Sequence, residues 1–186
     1  MQKELPVRKN IRLHGYDYSK AGCYFITICV KGMHEMLGEI VVGDGVLDVP
    51  RYTTEIPYVK LSEYGIITEK YIAALDKYYE YITIPKYVIM PNHIHLLVVL
   101  NNKTLAGNKH GTSRTPSPTN AVIPSFVSTL KRFIHKDCGF VLFQRAYHDN
   151  IIRNEEEYKH IWRYIDKNPS TWAEDRYYKC ESPVEM

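Results

Sequence analysis

Apolar residues recur along this chain at two spacings, one that suits strands and one that suits helices. Residues 23–30, Cys-Tyr-Phe-Ile-Thr-Ile-Cys-Val, are rich in β-branched and aromatic side chains and predict a buried central strand. A hairpin follows, with strands over 37–42 and 46–49 joined at Gly43-Asp44-Gly45, where Asp-Gly supplies the positive φ of a tight turn. Residues 50–60 hold two prolines and read as a connection. Leu61, Tyr64, Ile67, Tyr71, Ala74, Leu75 and Tyr78 lie at helical spacing, so 61–80 predicts an amphipathic helix. Strands over 84–90 and 93–100 come next, and the short Pro91-Asn92 link between them favours an antiparallel pair. A second helix over 122–137 has Phe126, Leu130, Phe133 and Ile134 on one face, and 140–147 reads as a short strand. A third helix spans 154–168, with Asn154 as its N-cap and Glu155, Glu156 and Glu157 in the first turn, where acids suit the helix dipole. Removing the hairpin and the last helix leaves β-α-β-β-α-β. The fold class is therefore α+β, a ferredoxin-like or RRM-like antiparallel sheet with an inserted hairpin and an extra C-terminal helix.

Length and composition narrow the setting. At 186 residues the chain is long enough for a core without staples, and it reads as one domain over 1–172 with a polar tail over 173–186. Residues 101–120 have one leucine and one alanine as their apolar content, which predicts a flexible loop. The net charge of +3 permits a nucleic-acid partner without requiring one. Four scattered cysteines without a Cys-x-x-Cys pair argue against a zinc knuckle and favour a reducing cytoplasm. The first residues do not read as a signal peptide, and no apolar run is long enough to cross a membrane. Arg8, Lys9 and Arg12 stand in a basic, turn-rich arm over 3–20 that could clasp a phosphate backbone. Lys131 and Arg132 on the second helix, with Tyr147 and Arg153 beyond it, are further candidate DNA contacts. Sixteen tyrosines make base stacking plausible, and most of them must be packing residues.

The chemistry centres on Pro91-Asn92-His93-Ile94-His95. In a strand, residues i and i+2 share a face, so His93 and His95 point the same way, roughly 6–7 Å apart along the strand. Two neutral imidazoles so placed can hold one metal ion. Two ligands are too few, and the last helix offers more. Tyr158, Ile161, Trp162 and Ile165 form its core stripe, Tyr164 lies beside that stripe, and Asn168 is one turn beyond Tyr164. A hydroxyl nucleophile and an oxygen ligand thus project together.

Two segments, YVIMPNHIHLLVVL and YHDNIIRNEEEYKHIWRYIDKNP, resemble the single-tyrosine transposases of the HUH superfamily, in particular the REP-associated tyrosine transposase branch. The resemblance covers about residues 8–170. It implies that His93 and His95 are metal ligands, that Asn168 is the third ligand and that Tyr164 is the nucleophile. Many insertion-sequence relatives carry Gln where this chain has Asn168, which points toward the REP-associated branch. The resemblance further implies a divalent cofactor, Mg²⁺ or Mn²⁺, and a single-stranded DNA substrate bearing hairpins or palindromic repeats. The implied reaction cleaves and rejoins DNA through a 5′-phosphotyrosine link, by a monomer or homodimer at a prokaryotic nucleoid. Tyr147 is the alternative nucleophile, but it has no ligand four residues on.

Other readings fit less of the chain. HIT-type hydrolases need a third alternating histidine, and that position is Leu97. Two-histidine phosphodiesterases need a repeated His-x-Thr/Ser, which is absent. A non-catalytic or domesticated DNA- or RNA-binding protein could stack bases on Tyr24 and Phe25, but an RNP1-type octamer is missing, and a pure binder would need neither the histidine pair nor Asn168.

Overall fold

A computed structural model describes residues 16–42, 56–101 and 122–178. Four strands form one antiparallel sheet: β1 (Gly22–Cys29), β4 (Ile82–Met90), β5 (His93–Leu100) and β6 (His148–Ile152), in the order β4-β5-β1-β6. This is the ferredoxin-like strand order, with α1 (Glu63–Tyr78) after β1 and α2 (Val122–Cys138) after β5. Between β1 and α1 lies a small two-stranded sheet of β2 (Gly38–Val41) and β3 (Tyr58–Leu61). After β6 come α3 (Glu155–Lys167) and a 3₁₀ segment, Asn168–Glu174.

Side-chain alternation divides the sheet into two faces. Tyr24, Ile26 and Ile28 of β1, with Ile94, Leu96, Val98 and Leu100 of β5, enter the main core beneath α1 and α2. The other face carries Phe25 and Leu97, which pack with Ile161 and Ile165 of α3. Both faces of β5 are therefore covered, which is why it reads as an almost unbroken apolar run. Local chemistry fixes the helix ends. Ser62 Oγ accepts from Gly65 N at 3.2 Å to cap α1. Asn154 Oδ1 accepts from Glu157 N at 2.8 Å to cap α3, as its sequence predicts. Gly139 follows α2 at φ 77°, the left-handed position that glycine takes at helix ends.

Three elements differ from the sequence expectation. The partner of β2 is Tyr58–Leu61, inside the stretch read as a connection, with Glu39 opposite Lys60. The strand expected over 46–49 lies outside the described residues. Tyr16 and Tyr18, read as part of an extended arm, instead pack against each other at 5.1 Å, and Tyr18 is buried against Tyr24.

The last edge strand is His148–Ile152 rather than 140–147. Val30 bridges Phe143, and Lys31 N donates to Leu142 O at 2.8 Å, so the chain touches the sheet there. The next three carbonyls are drawn away by a lysine. Lys131 Nζ donates to the carbonyls of Gln144 (2.8 Å), Arg145 (3.3 Å) and Ala146 (2.9 Å). The lysine turns this segment toward α2, and regular pairing with β1 starts only at His148. Burial lowers the Lys131 pKa to about 8, and the three carbonyls satisfy its three protons. Substituting Lys131→Met keeps the stem and removes this clasp. We expect a loss of about 1–3 kcal/mol in urea unfolding, the usual consequence of stranding buried acceptors. An unchanged midpoint would remove the clasp from the account.

Candidate metal and tyrosine site

The site lies on the α3 face of the sheet. His93 and His95 sit opposite Cys29 and Thr27 of β1, and both imidazoles are fully buried. Their Nε2 atoms are 2.9 Å apart. On the far side of each ring stands a polar partner. His93 Nδ1 is 2.8 Å from Asn92 Oδ1, and His95 Nδ1 is 2.8 Å from Thr27 Oγ1. Phe25 stacks on His95 at 4.9 Å and meets Tyr164 edge-on at 5.9 Å, which holds both rings in place.

α3 brings its own residues to the histidines. Its apolar stripe, Ile161 and Ile165, faces the sheet, so Tyr164 beside it reaches the strand. Tyr164 Oη is 3.3 Å from His95 Nε2 and donates to Asp175 Oδ2 at 3.0 Å. Asn168 Nδ2 donates to the same oxygen at 3.0 Å, while Asn168 Oδ1 is buried with no hydrogen-bond partner among the described residues. His93, His95, Tyr164 and Asn168, separated by up to seventy-five positions in sequence, therefore meet within one chain.

The expected tail contributes as much as α3. The 3₁₀ segment turns the chain back over the histidines, and the boundary after Trp172 does not separate a tail from the site. Tyr177 lies with its ring 4.6 Å from His93, and Trp172 stands 5.9 Å from His93. Asn92 Nδ2 donates to Tyr177 O at 2.9 Å. Sequence reasoning missed Asp175, Tyr177, Thr27 and Asn92. Aromatic residues in an otherwise polar terminal stretch were the one available signal.

Burial governs the electrostatics. It lowers the His93 pKa to about 4; Arg176 adds to the fall and Asp175 opposes it. Burial, His93 and Arg176 also hold His95 well below its ordinary value. Both rings are neutral at pH 7, as metal ligands must be. The Tyr164 phenol is raised to about 12 by burial first and then by the Asp175 charge and hydrogen bond.

These residues fit a divalent ion. Two nitrogens 2.9 Å apart match adjacent corners of an octahedron, whose ligands at about 2.1 Å stand roughly 3.0 Å from one another. His93, His95 and Asp175 offer ligand atoms within 4.8 Å of one another. Asn168 Oδ1, buried without a partner among the described residues, is a further candidate donor. Two nitrogens with one or two oxygens suit Mn²⁺ in affinity and admit Mg²⁺.

The remaining sequence candidates lie apart from this cluster. Arg8, Lys9 and Arg12 fall outside the described residues. Arg132, His135, Arg145 and Tyr147 line a cleft of about 560 Å³ between α2 and the segment before β6, with Lys131 beside them. Lys131 is committed to its three carbonyls. Arg132 and Arg145 are exposed, and among the described residues neither has an ion-pair partner and no acidic side chain lines the cleft. Arg153 is exposed at the turn into α3, where its backbone N–H donates to Glu157 at 3.0 Å. No helix among the described residues is long and apolar enough to cross a membrane.

No family model matches the chain. An uncharacterized protein of Haemophilus influenzae is 27% identical over 184 residues, covering 92% of this chain and 93% of that protein. Among solved structures, a REP-associated tyrosine transposase bound to a REP hairpin superimposes with a TM-score of 0.50 at 18% identity, over 82% of this chain and 69% of that one. A crystal structure of a Deinococcus radiodurans protein overlaps more loosely, at a TM-score of 0.39 and 18% identity, over 84% of this chain and 95% of that one. The mixed fold, with its four-stranded antiparallel sheet and three helices, is similar to that of the REP-associated tyrosine transposase.

The buried neutral histidines set a pH dependence for the metal-stripped protein. Unfolded histidine has a pKa near 6.5, and folded His93 near 4, so the unfolded state binds more protons between these values. Stability is therefore full above about pH 6.5 and declines as pH falls toward 4. His93 alone should cost about 2 kcal/mol at pH 5 relative to pH 7. Urea unfolding in EDTA at the two pH values checks this, and His93→Gln should shrink the difference. Equal pH sensitivity in the variant would contradict it.

Proposed function

We propose that this protein is a metal-dependent single-stranded DNA strand transferase and nuclease that uses Tyr164 as nucleophile. One observation carries the reading: a tyrosine hydroxyl 3.3 Å from His95 Nε2, in a pair of buried, neutral imidazoles whose Nε2 atoms are 2.9 Å apart. His93, His95 and an oxygen from Asn168 or Asp175 would hold Mg²⁺ or Mn²⁺. When bound, that ion supplies Lewis-acid polarisation of the scissile phosphate and charge stabilisation for the leaving 3′-oxygen. Tyr164 Oη attacks phosphorus in line; its bond forms as the bond to the 3′-oxygen breaks. The products are a 5′-phosphotyrosine and a free 3′-hydroxyl. Attack by a 3′-hydroxyl on that link reverses the chemistry and joins strands without ATP. Asp175 Oδ2 already accepts the Tyr164 proton's hydrogen bond, so the phenol is oriented before substrate arrives.

The neighbouring structure's REP hairpin motivates a hairpin-bearing substrate for this chain as well. The cleft flanked by Arg132 and Arg145 suits the phosphates of such DNA, since both guanidiniums are exposed without acidic competitors in its lining. Tyr164 meets the histidines of its own chain, which supports a monomer with a complete site. In this reading the domain expected over 1–172 extends past Trp172 to include Asp175 and Tyr177, and the protein works in the prokaryotic cytoplasm at the nucleoid.

A second reading has one observation in its favour. His93 and His95 are fully buried, under Tyr177 and Trp172. A protein that binds hairpins and seldom cuts them would be built this way, and cutting requires residues 172–178 to move. Incubation with a labelled single-stranded hairpin and Mn²⁺ separates the two. Tyr164→Phe should abolish the covalent protein–DNA adduct, and EDTA should do the same to the wild type, while hairpin binding persists in both. An adduct that survives in the variant would assign the nucleophile elsewhere; no adduct from the wild type would favour the binder.

The cleft has its own test. Replacing Arg132 and Arg145 together by alanine should weaken hairpin binding and reduce the slope of log affinity against log salt by about 2. The adduct-forming rate at saturating DNA should remain within about twofold of the wild type. An unchanged salt slope would exclude the cleft as a phosphate contact.

A further inference from the structure

β6 carries a histidine that the metal and tyrosine site leaves unused. His148 pairs with Thr27, and Thr27 pairs on its other side with His95. Residues directly opposite one another in a sheet share a face, so His148, Thr27 and His95 form one row across the sheet. Thr27 Oγ1 lies 2.8 Å from His95 Nδ1, which sets the whole row on the α3 face. Burial falls steeply along it. His95 and Thr27 are buried, and His148, on the edge strand, is exposed. α3 accounts for the difference: Ile161 and Ile165 pack on Phe25, Leu97 and Ile152 and leave the first residue of β6 open. The next β6 residue on this face, Asn150, is committed to Glu157 at 2.7 Å. The His148 ring has no hydrogen-bond or ion-pair partner among the described residues.

Position gives this ring a use. Two strand spacings, roughly 10 Å, separate the Cα atoms of His148 and His95. Tyr164 Oη lies 3.3 Å from His95 Nε2, so the reacting phosphate belongs at the inner end of the row. Arg145, three residues before His148, lines the cleft proposed for the hairpin's phosphates. The segment from Arg145 to His148 therefore joins the cleft to the site, and a strand leaving the cleft for Tyr164 passes His148 on the way. Resting on the nuclease reading above, we infer that His148 is a substrate-positioning contact whose ring N–H donates to the phosphate next to the scissile one, on the hairpin side. An imidazole offers an N–H whether neutral or charged, so the contact does not depend on its protonation. Val88, His95, Thr27 and His148 make up the row across all four strands, and no acid among them competes with the phosphate. Holding that neighbouring phosphate fixes the strand beside the histidines, and in-line attack by Tyr164 depends on such placement.

The probe is a labelled hairpin oligonucleotide with single-stranded arms, whose scissile phosphate is mapped by wild-type cleavage with Mn²⁺. His148→Ala should raise KM on this DNA about 10-fold, with a smaller change in kcat, while affinity for the same hairpin without arms stays within about twofold of the wild type. His148→Gln keeps an N–H donor at similar reach and should recover most of the loss. An uncharged methylphosphonate is then placed next to the scissile position on the hairpin side. It should raise the wild-type KM about 10-fold and that of His148→Ala by less than about twofold, because both changes remove one contact. Effects that multiply, or a wild-type KM in His148→Ala, would overturn the contact and leave the nuclease reading intact. A methylphosphonate on the far side of the scissile phosphate should act independently of the variant, and coupling there instead would overturn the placement. Absence of cleavage by the wild type would overturn the nuclease reading and this inference with it.

Discussion

The register between β1 and β5 is the constraint on which the rest of the structure depends. Thr27 stands opposite His95, and Cys29 opposite His93. Because side chains alternate along a strand, a slip of one residue would send both histidines into the apolar core and bring Ile94 and Leu96 to the α3 face. Such a slip is blocked on both sides. Ile26, Ile28, Ile94 and Leu96 are fully buried under α1 and α2, and Leu97 is fully buried against α3. The same apolar packing that holds the sheet together therefore aims the imidazoles. Site and core are two faces of one strand pairing.

The site is poor in charge by construction. Its histidines are neutral through burial, its phenol is protonated, and Asp175 is the one acid among its candidate ligands. Asp175 gathers hydrogen bonds from Tyr164 and Asn168 to a single oxygen. Its other oxygen accepts from the Tyr177 N–H at 2.7 Å, so the carboxylate is held from both sides. A divalent cation would enter a setting whose ligands need not shed net charge, and its field would act against the forces that now keep the phenol protonated.

Much of this was legible in the chain, for reasons that can be named. The alternation at His93 and His95 gives a shared face from strand geometry alone, and the stripe of Ile161 and Ile165 sets which side of α3 meets the sheet. Asn154 reads as a cap because its side chain is the right length for the job. The misses share a physical origin in long-range contacts. Residues 140–147 look like a strand, but Lys131, earlier in the chain, claims three of their carbonyls. Tyr58–Leu61 is a strand because β2 lies beside it, not through any pattern of its own. Asp175 and Tyr177 sit in a polar segment whose value appears only when the 3₁₀ turn folds it back. Nothing in the spacing of Thr27 marks it as a partner of His95.

The 3₁₀ turn after α3 has a mechanical consequence. Trp172, Asp175 and Tyr177 all belong to one short stretch of chain, so the carboxylate that holds the Tyr164 hydroxyl and the rings that shield the histidines share a single lever. Lifting the shield carries Asp175 away from the phenol it holds. Uncovering the histidines and releasing the Tyr164 hydroxyl from Asp175 are thereby coupled in one segment.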